Sequence, residues 1–166
     1  MAQTVESILA EFREEIPATR RLLERVPADK LTWKPHPKSR SLGELAMHVA
    51  GIMGMAEKIA SSDEFSPSSV PPPAPTSAQE ILAAFEKNVR ASEEALGKLS
   101  EQALMGDWRF IFRGKELFRK PRIAGLRTNV LNHLYHHRGQ LSVYLRLLEV
   151  PVPVVYGPTA DENPFA

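Results

Sequence analysis

The chain has 166 residues, 43% of them hydrophobic and 25% charged, the size and composition of one ordinary globular domain with its own core. Its 21 Lys and Arg against 20 Asp and Glu leave a formal charge of +1, which gives no electrostatic footprint for nucleic acid, and no apolar run approaches the roughly 18 residues of a membrane span. The absence of cysteine excludes disulfides, zinc-thiolate sites and a cysteine nucleophile together, so any metal must be held by nitrogen and oxygen.

The N-terminal residues mix acids with apolar side chains, so no export signal is expected and the expected location is cytoplasmic. From about Thr4 to Arg25, Val5, Ile8, Leu9, Phe12, Ile16 and Leu23 recur at three- and four-residue spacing, which predicts an amphipathic helix. Pro17 removes an interior hydrogen bond, so a kink or an early end near Ile16 is expected. The following VPADKLTWKPHPKSR holds three prolines and reads as a structured connection anchored by Leu31 and Trp33.

Ser41 and Glu44 form an S-x-x-E capping box that opens a second helix running to about Ser61. Leu42, Leu45, Val49, Ile52, Met53 and Ala56 make one stripe and His48, Ile52, Met55 and Ile59 an adjoining one, an arc wide enough to face more than one neighbour. Residues 61–77, SSDEFSPSSVPPPAPTS, hold five prolines and six serines and predict a long non-helical crossover. Ser77 and Glu80 repeat the capping signature before a third helix carrying Ile81, Leu82, Phe85, Val89, Leu96 and Leu99.

Residues 105–120, MGDWRFIFRGKELFRK, alternate Trp108, Phe110 and Phe112 with Arg109, Ile111 and Arg113 before Gly114, the pattern of a short hairpin whose aromatics belong to the core. Pro121 suits the first turn of a last long helix reaching about Glu149. The proline-rich tail VPVPVVYGPTADENPFA cannot continue it and is expected to pack back through Val154 and Tyr156. Together these elements predict one all-α domain over 1–166: a four-helix bundle with one long crossover between helices 2 and 3 and a non-helical C-terminal tail.

Three of the five histidines fall in NHLYHHRGQLSVYLRLL, residues 132–148. At about 100° per residue, Leu126, Val130, His133, His137, Leu141, Tyr144 and Leu148 share a face, which predicts that His133 and His137 lie on the core seam, with His136 flanking it. Imidazoles at i and i+4 can converge on one ion, and coordination satisfies a buried nitrogen that otherwise costs about 1–3 kcal/mol. His48 is the better third ligand, because His36 sits between two prolines in a loop. The rival reading is a hydrogen-bonded histidine cluster without metal. Gly139 predicts close approach of another helix or a tolerated weak point. Arg138 and Gln140 flank the pair and could orient substrate or hydrogen-bond to a ligand's second nitrogen, with a structural contact the expected role of each. No Asp or Glu is placed by spacing as a general base, since Glu44 is taken up by the capping box, so the catalytic residues are unassigned.

SLGELAMHVAG at 41–51, NHLYHHRGQLSVYLRLL at 132–148 and VPVPVVYGPTADE at 150–162 make the chain similar to the DinB superfamily of helical-bundle proteins, including its YfiT-like metal-dependent hydrolases and thiol transferases. The resemblance implies that His48, His133 and His137 hold one divalent ion, nickel or zinc, with open positions for water. It also implies a homodimer and a small-molecule substrate, with a low-molecular-weight thiol as a possible cosubstrate. The expected function is therefore a metal-dependent hydrolase or thiol transferase; a non-catalytic metal- or small-molecule-binding bundle is the alternative. Ligand histidines must be unprotonated, so metal affinity is expected to fall below about pH 6.5.

Overall fold

The computed structural model describes residues 4–70 and 72–165. Residues 1–3, on which the reading of an absent export signal partly rests, and Pro71 of the crossover lie outside the described residues. The first helix, α1, spans Val5–Glu24. It starts on a reciprocal cap, in which Thr4 Oγ1 accepts from the Ser7 N–H at 3.1 Å and Ser7 Oγ accepts from the Thr4 N–H at 3.0 Å. It buries Ile8, Phe12, Leu22 and Leu23. The early end considered near Ile16 does not occur, since α1 continues through Pro17 to Glu24. Pro17 and Arg13 are both exposed, so the Arg13 carbonyl that Pro17 leaves without a donor lies on the solvent side.

The second helix, α2, spans Leu42–Ser61, and its predicted box is present: Ser41 Oγ accepts from the Glu44 N–H at 3.2 Å and Glu44 Oε2 accepts from the Ser41 N–H at 2.7 Å. It packs along α3 (Ala78–Gly97) and against the C-terminal helix, while α1 packs on both of those. That central position explains its wide apolar arc. Gly54 lets α3 come close, since a Cβ there would lie 2.8 Å from Asn88 Cγ. Asn88 uses the proximity to donate to the Ala50 carbonyl at 2.9 Å, and Ser92 Oγ donates to the Met53 carbonyl at 2.6 Å. At the start of α3 only half of the expected box forms. Ser77 Oγ accepts from the Glu80 N–H at 3.1 Å, but the Glu80 carboxylate accepts from the Thr76 N–H at 2.8 Å instead of closing on Ser77.

The chain is mostly helical, but it is not all-α. The crossover contributes β1 (Glu64–Phe65), which pairs in parallel with β2 (Asp107–Phe112). After a short helix, α4 (Glu101–Met105), β2 pairs antiparallel with β3 (Lys115–Pro121). The hairpin turns through Arg113 and Gly114, both at positive φ, 51° and 74°, as its tight turn requires. Alternating aromatics drive the sheet: Trp108 is fully buried, and Phe110 stacks on Phe118 at 5.2 Å. Gly125 admits the Trp108 ring, whose Cε3 would lie 3.1 Å from a Cβ at that position.

The C-terminal helical stretch runs through α5 (Arg122–Leu126), a wide π-helical turn at Arg127–Leu131, and α6 (Asn132–Leu147). Buried Arg122 fixes its start by donating to the Ile59 and Ala103 carbonyls, each at 2.9 Å, and by pairing with Asp63. The tail is non-helical and packs back as expected. Val152 is buried, Arg21 donates to the Val154 carbonyl at 2.9 Å, and the Tyr156 hydroxyl donates to Glu15 Oε2 at 2.9 Å.

Candidate metal centre

The π turn decides where the histidines point. A wider turn advances the buried stripe by about one residue relative to an uninterrupted α-helix. The observed core face runs Leu126, Val130, Leu134, Arg138, Leu141 and Leu145, whereas a constant 100° step places His133, His137 and Tyr144 there. The histidines therefore flank the core seam and are half-buried, as is His48 on α2. This corrects the expected seam placement, and it leaves the site accessible.

The structure brings His48, His133 and His137 together. One nitrogen from each lies within 4.8 Å of the others, and among the described residues this is the one group of three or more His, Asp or Glu side chains so arranged. His48 Nε2 and His133 Nε2 are 3.2 Å apart. Two nitrogens each about 2.0–2.1 Å from a tetrahedral ion stand about 3.3 Å apart, so the pair already has the spacing of two ligands. One imidazole donating to the other is also compatible with that distance.

Outer partners orient two of the rings. Gln140 Oε1 lies 2.7 Å from His137 Nδ1. An amide oxygen only accepts, so His137 carries its proton on Nδ1 and presents a lone pair on Nε2. Gln140 Nε2 in turn reaches His136 Nε2 at 3.2 Å, and the His133 ring donates to the backbone carbonyl of Asn129 in the π turn. Gln140 thus occupies the second nitrogen of His137.

Burial holds all three rings neutral. It is the main cause that pushes His48 down to about 3, with the Arg40 charge and the other two histidines adding to it. His133 and His137 are also lowered mainly by burial, against the opposing hydrogen bonds of Asn129 and Gln140. Three neutral imidazoles with converging lone pairs suit a borderline cation such as zinc or nickel.

His136 is exposed, and His36 lies in the loop with Nδ1 accepting from the Lys38 N–H at 3.1 Å. Arg138 turns the other way: it is buried, pairs with Glu15 at 2.6 Å, donates to Thr19 Oγ1 at 3.1 Å and contacts the Tyr156 hydroxyl. Gly139 admits no close neighbour, since a Cβ there would meet nothing within 4 Å, so it is the tolerated weak point. Trp108 is in the core and Phe110 packs against it, whereas Phe112, expected there too, is exposed at the hairpin end; none of the three lines the cavity described next.

A cavity of about 650 Å³ opens beside His48, lined by Lys38, Arg40, Glu44, Met47, Gly51 and the Pro72–Pro75 segment among others. Sequence reasoning assigned none of these residues to a site, apart from weighing Glu44. The proline run was a signal, because a stiff extended segment makes a wall without a helix or strand behind it. His133 and His137 do not line the cavity, so it meets the histidine cluster along one edge. The Glu44 carboxylate is held below its usual range chiefly by its hydrogen bond to the Ser41 backbone, which makes it a weak base.

Known proteins with this sequence pattern and fold were identified. The uncharacterized protein YrdA of Bacillus subtilis (strain 168) is 29% identical over 164 residues, covering 98% of this chain and 93% of YrdA. The crystal structure of a DinB-like protein from Bacillus cereus ATCC 10987 superposes with a TM-score of 0.75 at 29% identity, covering 94% of this chain and all of that one. A DinB-like protein of Bacillus subtilis, YjoA, shares the fold with a TM-score of 0.70 at 20% identity, covering 89% of this chain and 96% of that one. The family model described as DinB family matches residues 1–163, and the chain belongs to that family.

Proposed function

We propose that His48, His133 and His137 hold one divalent ion, zinc or nickel, and that the chain is a metal-dependent enzyme, a hydrolase or a low-molecular-weight-thiol transferase acting on a small molecule. The observation that carries this reading is the convergence of three imidazoles, two of them with their nitrogens 3.2 Å apart. Bound there, a divalent ion lowers the pKa of a water or thiol in an open position, so that a nucleophile is available near neutral pH. The residues of the chain do the rest. Gln140 and the Asn129 carbonyl fix the rings, and burial keeps the lone pairs unprotonated. The cavity at His48 admits a substrate. In this reading the four long helical stretches form a four-helix bundle around the core, with the sheet at one side. The homodimer implied by the family resemblance belongs to it too, supported by Val143 and Leu147, each 56% exposed on α6.

Metal content of untagged protein, reconstituted with zinc or nickel, tests the metal. One ion per chain in the wild type and a large loss in His137→Ala are expected; content far below one ion per chain would sink the reading. Turnover of thiol and ester substrates by the loaded protein tests the enzyme. A non-catalytic binding bundle is the second reading, favoured by Glu44 being a capped, weakened base and by the lack of any other carboxylate lining the cavity among the described residues. Metal-dependent product formation lost in His137→Ala would defeat it.

A further inference from the structure

The cavity beside His48 has a charge pattern that the metal reading does not use. Lys38 and Arg40, both exposed, line the cavity, and among the described residues neither side chain is in an ion pair, although the Arg40 charge also acts on Glu44. By contrast Arg13, Arg20 and Arg146 each pair with an acid. Glu44 also lines the cavity, but its carboxylate is committed to the Ser41 backbone at 2.7 Å and lies 3.8 Å from Lys34. The local balance is therefore cationic.

Arg40 is also held in place. The Tyr144 hydroxyl donates to its carbonyl at 3.2 Å, the Tyr144 ring meets Trp33 edge-on at 5.6 Å, and the Leu42 N–H binds the Trp33 carbonyl at 2.9 Å. The loop bearing the guanidinium is thus fastened to α6 and α2, the two helices that carry the histidines.

The remaining wall is apolar. Met47 and Gly51 come from α2, and Pro72, Pro73, Ala74 and Pro75 from the crossover. Pro75 is buried against α2, where a Cβ at Gly43 would lie 3.1 Å from its Cγ. Gly51 keeps the floor open, since nothing lies within 4 Å of a Cβ built there. The volume of about 650 Å³ falls in the usual range of small-molecule pockets, about 300–1,000 Å³.

We propose that Arg40, assisted by Lys38, binds the anionic group of a small amphipathic substrate, a carboxylate or a phosphate monoester, whose apolar body lies along Met47, Gly51 and the proline wall beside His48. A guanidinium fork matches both headgroups. The proposal deepens the enzyme reading by naming a substrate class, and it rests on that reading for the chemistry at His48 but not for the anion contact.

Calorimetric titration tests it, with 4-phenylbutyrate, phenyl phosphate and the neutral 4-phenylbutyramide as probes, on metal-free and zinc-treated full-length protein. At least one anion should bind about tenfold tighter than the amide in the metal-free protein, a preference of the size a charge-assisted hydrogen bond gives. Arg40→Gln should abolish the preference and leave amide binding within about twofold, because the apolar wall is untouched. Gly51→Leu, which fills open space on a helix and keeps a good helix former, should abolish binding of all three probes. No binding of any probe, a preference that survives Arg40→Gln, or unchanged binding in Gly51→Leu would overturn the proposal. A preference seen only with zinc and insensitive to Arg40→Gln would also overturn it, with the metal reading intact. An Arg40-dependent preference in protein that takes up no zinc would sustain it while the metal reading falls.

Discussion

Two adjacent residues of α6, His137 and Arg138, belong to opposite kinds of polar region. Arg138 is 2% exposed and its donors are taken by Glu15, Thr19 and Tyr156. It ties α1, α6 and the tail into one network whose charged groups are buried and paired, with Tyr156 as its exposed edge. The histidine region, about 100° around the same helix, is half-buried, with the outer nitrogens of His133 and His137 engaged and inner nitrogens converging on one another beside a cavity. A polar group that is satisfied and sealed holds a fold together. One that is oriented but incompletely satisfied, next to open space, is arranged for a ligand.

Breaking the closed region should give the largest effect. Arg138→Met leaves the Glu15 carboxylate, 9% exposed, with the Tyr156 hydroxyl but without its charged partner, and removing one member of a buried ion pair costs about 3–5 kcal/mol. Urea unfolding should show that loss, whereas zinc per folded chain should be unchanged. A loss below about 1 kcal/mol would show that the network is a surface contact. In the open region the effects should reverse. His137→Ala should reduce zinc affinity by more than the about 10–100-fold typical of outer-sphere changes. Metal-free stability should stay within about 1 kcal/mol, because the ring is only half-buried. A smaller change belongs to Gln140→Leu: about 10–100-fold in zinc affinity through loss of the His137 Nδ1 contact, with unfolding unchanged within about 0.5 kcal/mol.

How much of this contrast could be read in the sequence depends on the range of the forces involved. Helix starts were legible where caps are local, as at Ser41 with Glu44, and so was the hairpin, because Gly114 and the aromatic alternation lie within a few residues of one another. The three histidines were legible from i, i+4 spacing and the apolar setting of His48. Their position on the helix was not, since counting at 100° per residue assumes no π turn and Arg127–Leu131 carries no obvious mark of one. The third strand was missed because Phe65 finds Phe110 only through the crossover. Glu15, Arg138 and Tyr156 are brought together by tertiary packing, and the cavity exists only once the Pro72–Pro75 segment lies beside α2. No local pattern encodes either.

The smallest predicted effect is one of pH. His48, His133 and His137 are held below the ordinary histidine value in the fold, His48 at about 3. An unfolded chain binds protons at these positions before the folded one does, so folding is favoured in full above about pH 6.5. That contribution is lost as pH falls from there toward the folded values. Metal-free protein should therefore lose unfolding free energy between pH 7 and pH 5, and His48→Gln should flatten the slope. A slope unchanged by that substitution would show that the ring titrates in the fold as it does in the unfolded chain. The same depression moves the metal loss expected just below pH 6.5 to lower pH, toward the folded values of the three rings.

X-ray absorption of zinc-loaded, untagged protein would count the imidazoles directly. The wild type should show three histidine nitrogens at about 2.0–2.1 Å with a lighter donor completing the shell, falling to two in His48→Ala and remaining three in His136→Ala. A shell with fewer than three imidazoles in the wild type, or one that loses a nitrogen in His136→Ala, would contradict a centre built from His48, His133 and His137.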